Sequence, residues 1–265
     1  MLLAIDIGNT NIHFGLVHPD GTLCCTWRAR TIRNKMADEY AVLLRSFFVG
    51  QGLDLRAVDA VVMASVVPEL TGTFVELSER YLKRKPLNVD HSLDTGITIR
   101  LDNPRELGPD RLVNAVAAVA LYGTPAIVID FGTATTYDII DAHGDYLGGA
   151  IAPGIGLAHD ALVERAARLL AVDLVPPPSV IGSNTIQAMQ SGLFLGYIAM
   201  IEGLIARFKA ELGSDAPVVI ATGGLAAHFA EHTTVIDQIA PNLTLDGLRL
   251  LWERLGVPQS VNNHH

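Results

Sequence analysis

Hydrophobic and polar positions follow one order twice along the chain. LLAIDIGNTNIHFGLV (2–17) and AIVIDFGTATTYDII (126–140) each open with an apolar run of strand length. Each continues through Asp-x-Gly and small polar residues into a second β-rich run. Aligning Asp6 with Asp130 pairs Gly8 with Gly132 and Asn11 with Thr135. Turn signals HPDG (18–21) and DAHGD (141–145) lead to third strands, TLCCTWRA (22–29) and YLGGAIA (146–152). Helical spacing follows over 37–50 in the first half, and over 155–170 and 184–212 in the second. VVMASVV (61–67) and VVIAT (218–222) read as further strands, each leading into a helix. The pattern predicts an α/β chain built from two β-β-β-α-β-α-β halves. A helix from Asp110 to Tyr122 closes the first half, and Gly123-Thr124-Pro125 forms a joint, giving expected domains of 1–122 and 123–265. Pro176-Pro177-Pro178 is a rigid loop between two second-half helices.

Composition narrows the class. Of 265 residues, 49% are hydrophobic, with mean hydropathy +0.33, which excludes disorder and leaves apolar surface for an oligomer to bury. A net charge of −9 disfavours nucleic acid and anionic membranes as partners. Cys24 and Cys25, side by side, make no disulfide framework, and the chain reads as cytoplasmic. MLLAIDIGNT lacks the basic start of a leader. Asn184 to Ile201 is uncharged but holds Gln187, Gln190 and Ser191, so it is expected to be a helix buried in a core or subunit interface, with no membrane span.

The two Asp-x-Gly turns carry the candidate chemistry. Glycine lets backbone N–H groups approach an anion, and Asn9, Thr10, Asn11, Thr133, Thr135 and Thr136 add side-chain donors. Neither turn contains Lys or Arg, so a triphosphate held there needs backbone donors plus cations, with Asp6 and Asp130 as carboxylate ligands, direct or through water. One Asp-x-Gly is merely a tight turn; two at matching places in a duplicated unit point to phosphate binding. None of the four lysines follows a glycine, which excludes a P-loop, and Gly154-Ile-Gly156 does not extend to the dinucleotide fingerprint.

Other motifs stay two-sided. ATGG (221–224) could lay backbone against a flat base or could simply pack a helix closely on a sheet. In DNPRELGPDRLVNA (102–115), Asp110 reads either as a helix N-cap or as a general base beside a substrate hydroxyl, with Arg111 and the helix start open to an anion. In SNTIQAMQSG (183–192), Ser183 or Asn184 caps a helix, and Asn184 with Gln187 has capping-box spacing. Gly192, Gly196 and Gly203 share nearly one face, which permits close helix contact or a dimer seam. His228 and His232, four apart, lack a third ligand in sequence and read as surface histidines. His264-His265 is set aside as a tag remnant.

Taken in order, DIGNTN (6–11), SVVP (65–68), NP–LGPDR–N (103–114), DFGTATT (130–136), GGAIAPG (148–154), NTIQAMQSG (184–192) and TGG (222–224) resemble the type III pantothenate kinases. The resemblance covers nearly the whole chain. It implies a duplicated actin-like ATPase (ribonuclease H-like) fold with the active site in the cleft between the halves. It also implies ATP-dependent phosphorylation of pantothenate, the first step of coenzyme A synthesis, by a cytoplasmic homodimer using Mg²⁺ and a monovalent cation, K⁺ or NH₄⁺. Carried over by motif, Asp6, Ile7, Gly8, Asn9, Thr10, Asn11, Ile12 and His13 hold the ATP phosphates, Asp6 also serving Mg²⁺. Asp130 ligates the monovalent cation and Thr133 contacts ATP. Gly108, Pro109, Asp110, Arg111 and Thr185 bind pantothenate, with Asp110 as the base. Two positions depart from the family pattern: Leu101 stands where a pantothenate-contacting tyrosine is usual, and Pro109 replaces alanine.

Rival readings are a related kinase for another hydroxylated acid, a regulatory protein on the same scaffold, and an actin-like filament or chaperone ATPase. Asp6, Asp110 and Asp130 speak against a catalytically dead regulator, and the short chain leaves little room for filament or chaperone insertions.

Overall fold

The computed structural model describes residues 1–166, 169–213 and 216–255; His264 and His265 lie outside them. The chain divides into two compact units. The first begins with strands β1 (Leu2–Ile7), β2 (Asn11–Val17) and β3 (Leu23–Arg30). It continues through α1 (Ala37–Gly50), β4 (Ala60–Ser65), α2 (Pro68–Leu77), β5 (Leu87–Asn88) and α3 (Pro109–Tyr122). The second holds β6 (Ala126–Phe131), β7 (Ala134–Ile140), β8 (Tyr146–Pro153), α4 (Ile155–Arg165), α5 (Thr185–Gln190), α6 (Gly196–Leu212), β9 (Val218–Gly223), α7 (Ala226–Ala230) and β10 (Gln238–Ile239). The last described helix, α8 (Leu243–Leu255), belongs with the first unit. Residues 98–100 group with the second unit, where Ile99 bridges Tyr146, and the division near the middle of the chain falls inside α3, after Ala117.

The duplication is visible strand by strand. Sheet orders are β3-β2-β1-β4-β5 and β8-β7-β6-β9-β10, with the first three strands of each unit antiparallel and the fourth parallel to the first. β1 and β6 are buried at the same positions, and only the aspartate near each C-terminal end is partly accessible. Apolar residues at alternate positions on both faces explain this, because each sheet is covered on two sides. In the first unit one face packs Ile5, Phe14 and Met63 against α1 and α2, through Tyr40, Leu44 and Phe74. The other face packs Ala4, Val62 and Ala64 against Val113 of α3 and Leu245 and Leu248 of α8. In the second unit Ile127, Ile129 and Val219 meet Phe194, Ile201, Ile205 and Phe229.

The structure bears on three expectations. The 155–170 helix ends at Arg165, where the backbone turns extended at Ala166, and Leu170 stays exposed. The 184–212 run is helical throughout, with a wide turn over Ser191–Leu195. It is long and apolar enough to cross a membrane by length and composition alone, yet Tyr197, Ile198, Ile201 and Ile205 are buried against the second sheet. Third, Ile7 pairs with Ile12 whereas Phe131 pairs with Thr135, so Thr135 corresponds to Ile12 and not to Asn11. The first turn is one residue longer, and the alignment slips by one beyond it.

Candidate active site

In the first unit the Asp-x-Gly turn is closed by the Gly8 N–H donating to the Asn11 carbonyl at 3.0 Å. Asp6 lies opposite His13 in the β1–β2 ladder. Burial, with a smaller contribution from the Arg28 charge, pulls the His13 pKa down to about 4, so the imidazole is neutral at physiological pH. Two other motifs gather at this turn. The Val66 N–H of the SVVP loop donates to the Ile7 carbonyl at 3.1 Å, extending the β1–β4 ladder. Pro68 then opens α2, a position where its missing N–H costs nothing. A Cβ on Gly108 would lie 3.8 Å from Val66 Cγ1, which places LGPDR beside SVVP.

Asp110 is not the cap of its helix. α3 starts at Pro109, and the Leu112 N–H donates to the Gly108 carbonyl at 3.1 Å, so Asp110 sits in the first turn. Its carboxylate folds back over Gly108, where any Cβ would stand 2.6 Å from Oδ1. The Arg111 backbone N–H donates to that oxygen at 2.8 Å. Burial raises the Asp110 pKa above the ordinary carboxylate range; the Arg111 N–H and guanidinium oppose this only in part. A half-buried carboxylate with raised basicity at a helix start is equipped to take a proton. Farther along α3, buried Asn114 accepts from Thr244 Oγ1 at 2.8 Å, which ties α8 to this helix. Leu101 is half-buried in the same unit.

The second turn is tighter: the Gly132 N–H donates to the Ala134 carbonyl at 3.1 Å. Thr133 is exposed at its tip, and its carbonyl accepts from the Gly154 N–H at 3.1 Å, bringing the GGAIAPG motif alongside. TGG reaches the same place because Asp130 pairs with Thr222 across β6 and β9. Gly223 has φ +90°, and a Cβ there would fall 2.5 Å from Asp130 Oδ1, so only glycine lets the chain pass this carboxylate. Thr135 is buried and hydrogen-bonds the Tyr197 hydroxyl.

Thr185 begins α5, and Asn184 caps it by accepting from the Gln187 N–H at 3.0 Å. The Gln187 side chain reaches back to Ser183, one residue beyond a capping box's usual target. A cavity of about 620 Å³ opens beside Thr185, walled by Leu162, Met189 and Leu193 with Ser183 and Asn184 among its lining. Gly192, Gly196 and Gly203 face open space. His228 is half-buried, with Nε2 3.2 Å from the Leu174 carbonyl and its ring edge-on to Phe194.

Among the described residues no group of three or more His, Cys, Asp or Glu could hold a metal. A strand-end carboxylate such as Asp6 suits Mg²⁺, which takes much of its shell from phosphate oxygens and water.

Arg33 carries no motif signature, yet the structure brings it to the first turn, where Nη2 donates to Asn9 Oδ1 at 3.1 Å. The signal lies in strand register: Asn11 pairs with Arg30, so residues just after β3 must run alongside the turn.

Two five-stranded α/β units of equal topology, each with an Asp-x-Gly turn after its first strand, define a duplicated ATPase-like fold of the actin and sugar-kinase class. An activator of 2-hydroxyisocaproyl-CoA dehydratase from Clostridium difficile, solved with ADPNP, shares this fold at a TM-score of 0.54 and 12% identity, over 100% of this chain and 99% of that one. A conserved candidate transcriptional activator of the Baf family from Campylobacter jejuni does so at 0.64 and 18%, over 96% and 98%. The chain belongs to the type III pantothenate kinase family, whose family model matches residues 2–207. The type III pantothenate kinase of Moorella thermoacetica is 52% identical over 254 residues, spanning 96% of this chain and 99% of that one. That of Roseiflexus sp. strain RS-1 is 53% identical over 253 residues, spanning 96% and 98%.

Proposed function

We propose that the chain transfers the γ-phosphoryl group of ATP to the primary hydroxyl of pantothenate, giving 4′-phosphopantothenate, the first step of coenzyme A synthesis. The observation that carries this reading is the family match over residues 2–207, and Asp110, a carboxylate of raised pKa folded over Gly108 beside the loop that borders the first turn, supplies the candidate base. Asp110 accepts the hydroxyl proton as the oxygen attacks phosphorus, and the bond to the ADP oxygen breaks. Phosphoryl transfer needs positioning and charge stabilisation more than covalent chemistry, which suits a site made of turns and strand ends.

Residues 6–13 hold the ATP phosphates and Thr133 contacts ATP. Asp130 takes the monovalent cation, K⁺ or NH₄⁺, and Asp6 takes Mg²⁺, direct or through water; when bound, these ions offset phosphate charge. Gly108, Pro109, Arg111 and Thr185 bind pantothenate. The open glycine face of the 185–212 helix, with Ile186 58% exposed, is the seam of a homodimer. A cytoplasmic location suits both substrates.

Leu101 supports a second reading, a kinase for a related hydroxy acid, because leucine removes the hydroxyl usual at that place. The test is ADP release with pantothenate and with similar hydroxy acids in Mg-ATP and K⁺. Preference for pantothenate supports the first reading; faster turnover of another acid supports the second.

A further inference from the structure

A phosphate tail attracts cations, and neither Asp-x-Gly turn supplies one from its own sequence. Arg33 supplies one to the first. Its guanidinium spans Asn9 Oδ1, at 3.1 Å from Nη2, and Glu69 Oε1 at the start of α2, at 3.4 Å from Nη1. The backbone leading to it is held on both sides. The Thr31 N–H donates to the Thr10 carbonyl at 2.9 Å, and Thr31 Oγ1 donates to the Gly8 carbonyl at 2.6 Å, so this segment rides on the turn itself. The next residue, Ile32, is pinned by buried Tyr40, whose hydroxyl accepts from the Ile32 N–H at 3.0 Å and donates to its carbonyl at 3.1 Å. The side chain beyond these anchors is 58% exposed. The Glu69 pair is long and solvated, so it contributes little and is easily given up. A guanidinium, by contrast, can grip phosphate oxygens through two parallel N–H bonds.

We propose that Arg33 is the phosphate-binding cation of the first turn, leaving Glu69 to bind the nucleotide's phosphate tail while its segment stays fixed to Gly8 and Thr10. This rests on the reading that the first turn holds the phosphates of ATP.

The test is calorimetric titration of a non-hydrolysable ATP analogue, with Mg²⁺ and fixed K⁺, against the whole chain and its Arg33→Ala, Arg33→Lys, Glu69→Gln and Gly8→Val variants. Each titration is repeated as choline chloride is raised. Arg33→Ala is expected to weaken binding by about 10- to 100-fold, as for loss of a charge-assisted contact, and to flatten the salt dependence. Arg33→Lys recovers part of the affinity, and Glu69→Gln binds as tightly as the unaltered chain or tighter. A merely structural brace would leave the salt dependence unchanged. Arg33→Ala binding within twofold of the unaltered chain, with the same salt dependence, overturns the proposal. If Gly8→Val abolishes binding in that case, the phosphate reading of the turn survives without Arg33; if Gly8→Val also binds normally, both fall.

Discussion

The two Asp-x-Gly turns share one strand plan and differ in what surrounds them. Both follow a buried first strand with one accessible aspartate, and both strand pairs shift register at the same place, Leu16/Val17 and Ile139/Ile140. The first is one residue longer, borders SVVP and LGPDR, and has an arginine reaching its tip. The second is tighter and has Asp130 wedged against the Gly223 backbone. A turn with polar tips and a tethered guanidinium suits a polyanion, whereas a carboxylate closely bordered by backbone suits a single cation. A one-residue difference in turn length accompanies these differences in surroundings.

Breaking the chemistry of the first unit has the largest expected effect. Asp110→Asn should lower turnover by about two to four orders of magnitude while leaving calorimetric ATP binding intact. Because burial raises the Asp110 pKa, ionised Asp110 opposes folding; the folded chain binds this proton more tightly, so that destabilisation fades as pH falls through the raised pKa. The same Asn variant should therefore melt at a higher temperature at pH 7 by calorimetry.

Next comes the cation proposed for the second turn. Replacing K⁺ with Na⁺ should slow ADP release in a coupled assay, and Asp130→Ala should make the two salts equivalent. An enzyme indifferent to the salt from the outset contradicts the assignment.

Backbone constraint separates the turns more gently. Gly223→Ala combines a positive φ with contacts of 2.5 and 2.7 Å, and should cost about 1–3 kcal/mol in urea unfolding. Gly8→Ala meets only the Asn11 carbonyl, at 3.0 Å, and should cost less than about 1 kcal/mol. Equal losses would remove the distinction.

The remaining effect is on acid stability. His13 has its pKa lowered to about 4 when folded, so the unfolded chain takes this proton first as pH falls from about 6.5 toward 4. Stability should decline through that window, and His13→Asn should flatten the decline in melts recorded across it. The corresponding position in the second unit is Thr136, which does not titrate there.

Much of this was legible in the chain because burial writes itself into apolar periodicity. LLAIDI and AIVIDF each announce a fully covered strand, and the turn signals after Val17 and Ile140 set the hairpins. The helix over 37–50 and the start near Asp110 follow from the same logic. Asp110 itself was ambiguous, since an aspartate at a helix start looks alike whether it caps or reacts; its position after Pro109 removes the cap and leaves the base to be tested by kinetics. The one-residue slip between Asn11 and Thr135 was hidden because both turns carry small polar residues, and only backbone pairing reveals it. Arg33 escaped motif reading because its closeness to Asn9 depends on a hairpin register, and α8 joins the first unit through contacts distant in sequence.

The central claim is tested most directly by mass spectrometry of pantothenate incubated with the purified chain, Mg-ATP and K⁺. The account predicts pantothenate bearing one added phosphoryl group, formed in equal amount with ADP, and formed about 100-fold or more slowly when Asp110 is asparagine. Unchanged pantothenate after prolonged incubation, under conditions where the chain binds ATP, would contradict it.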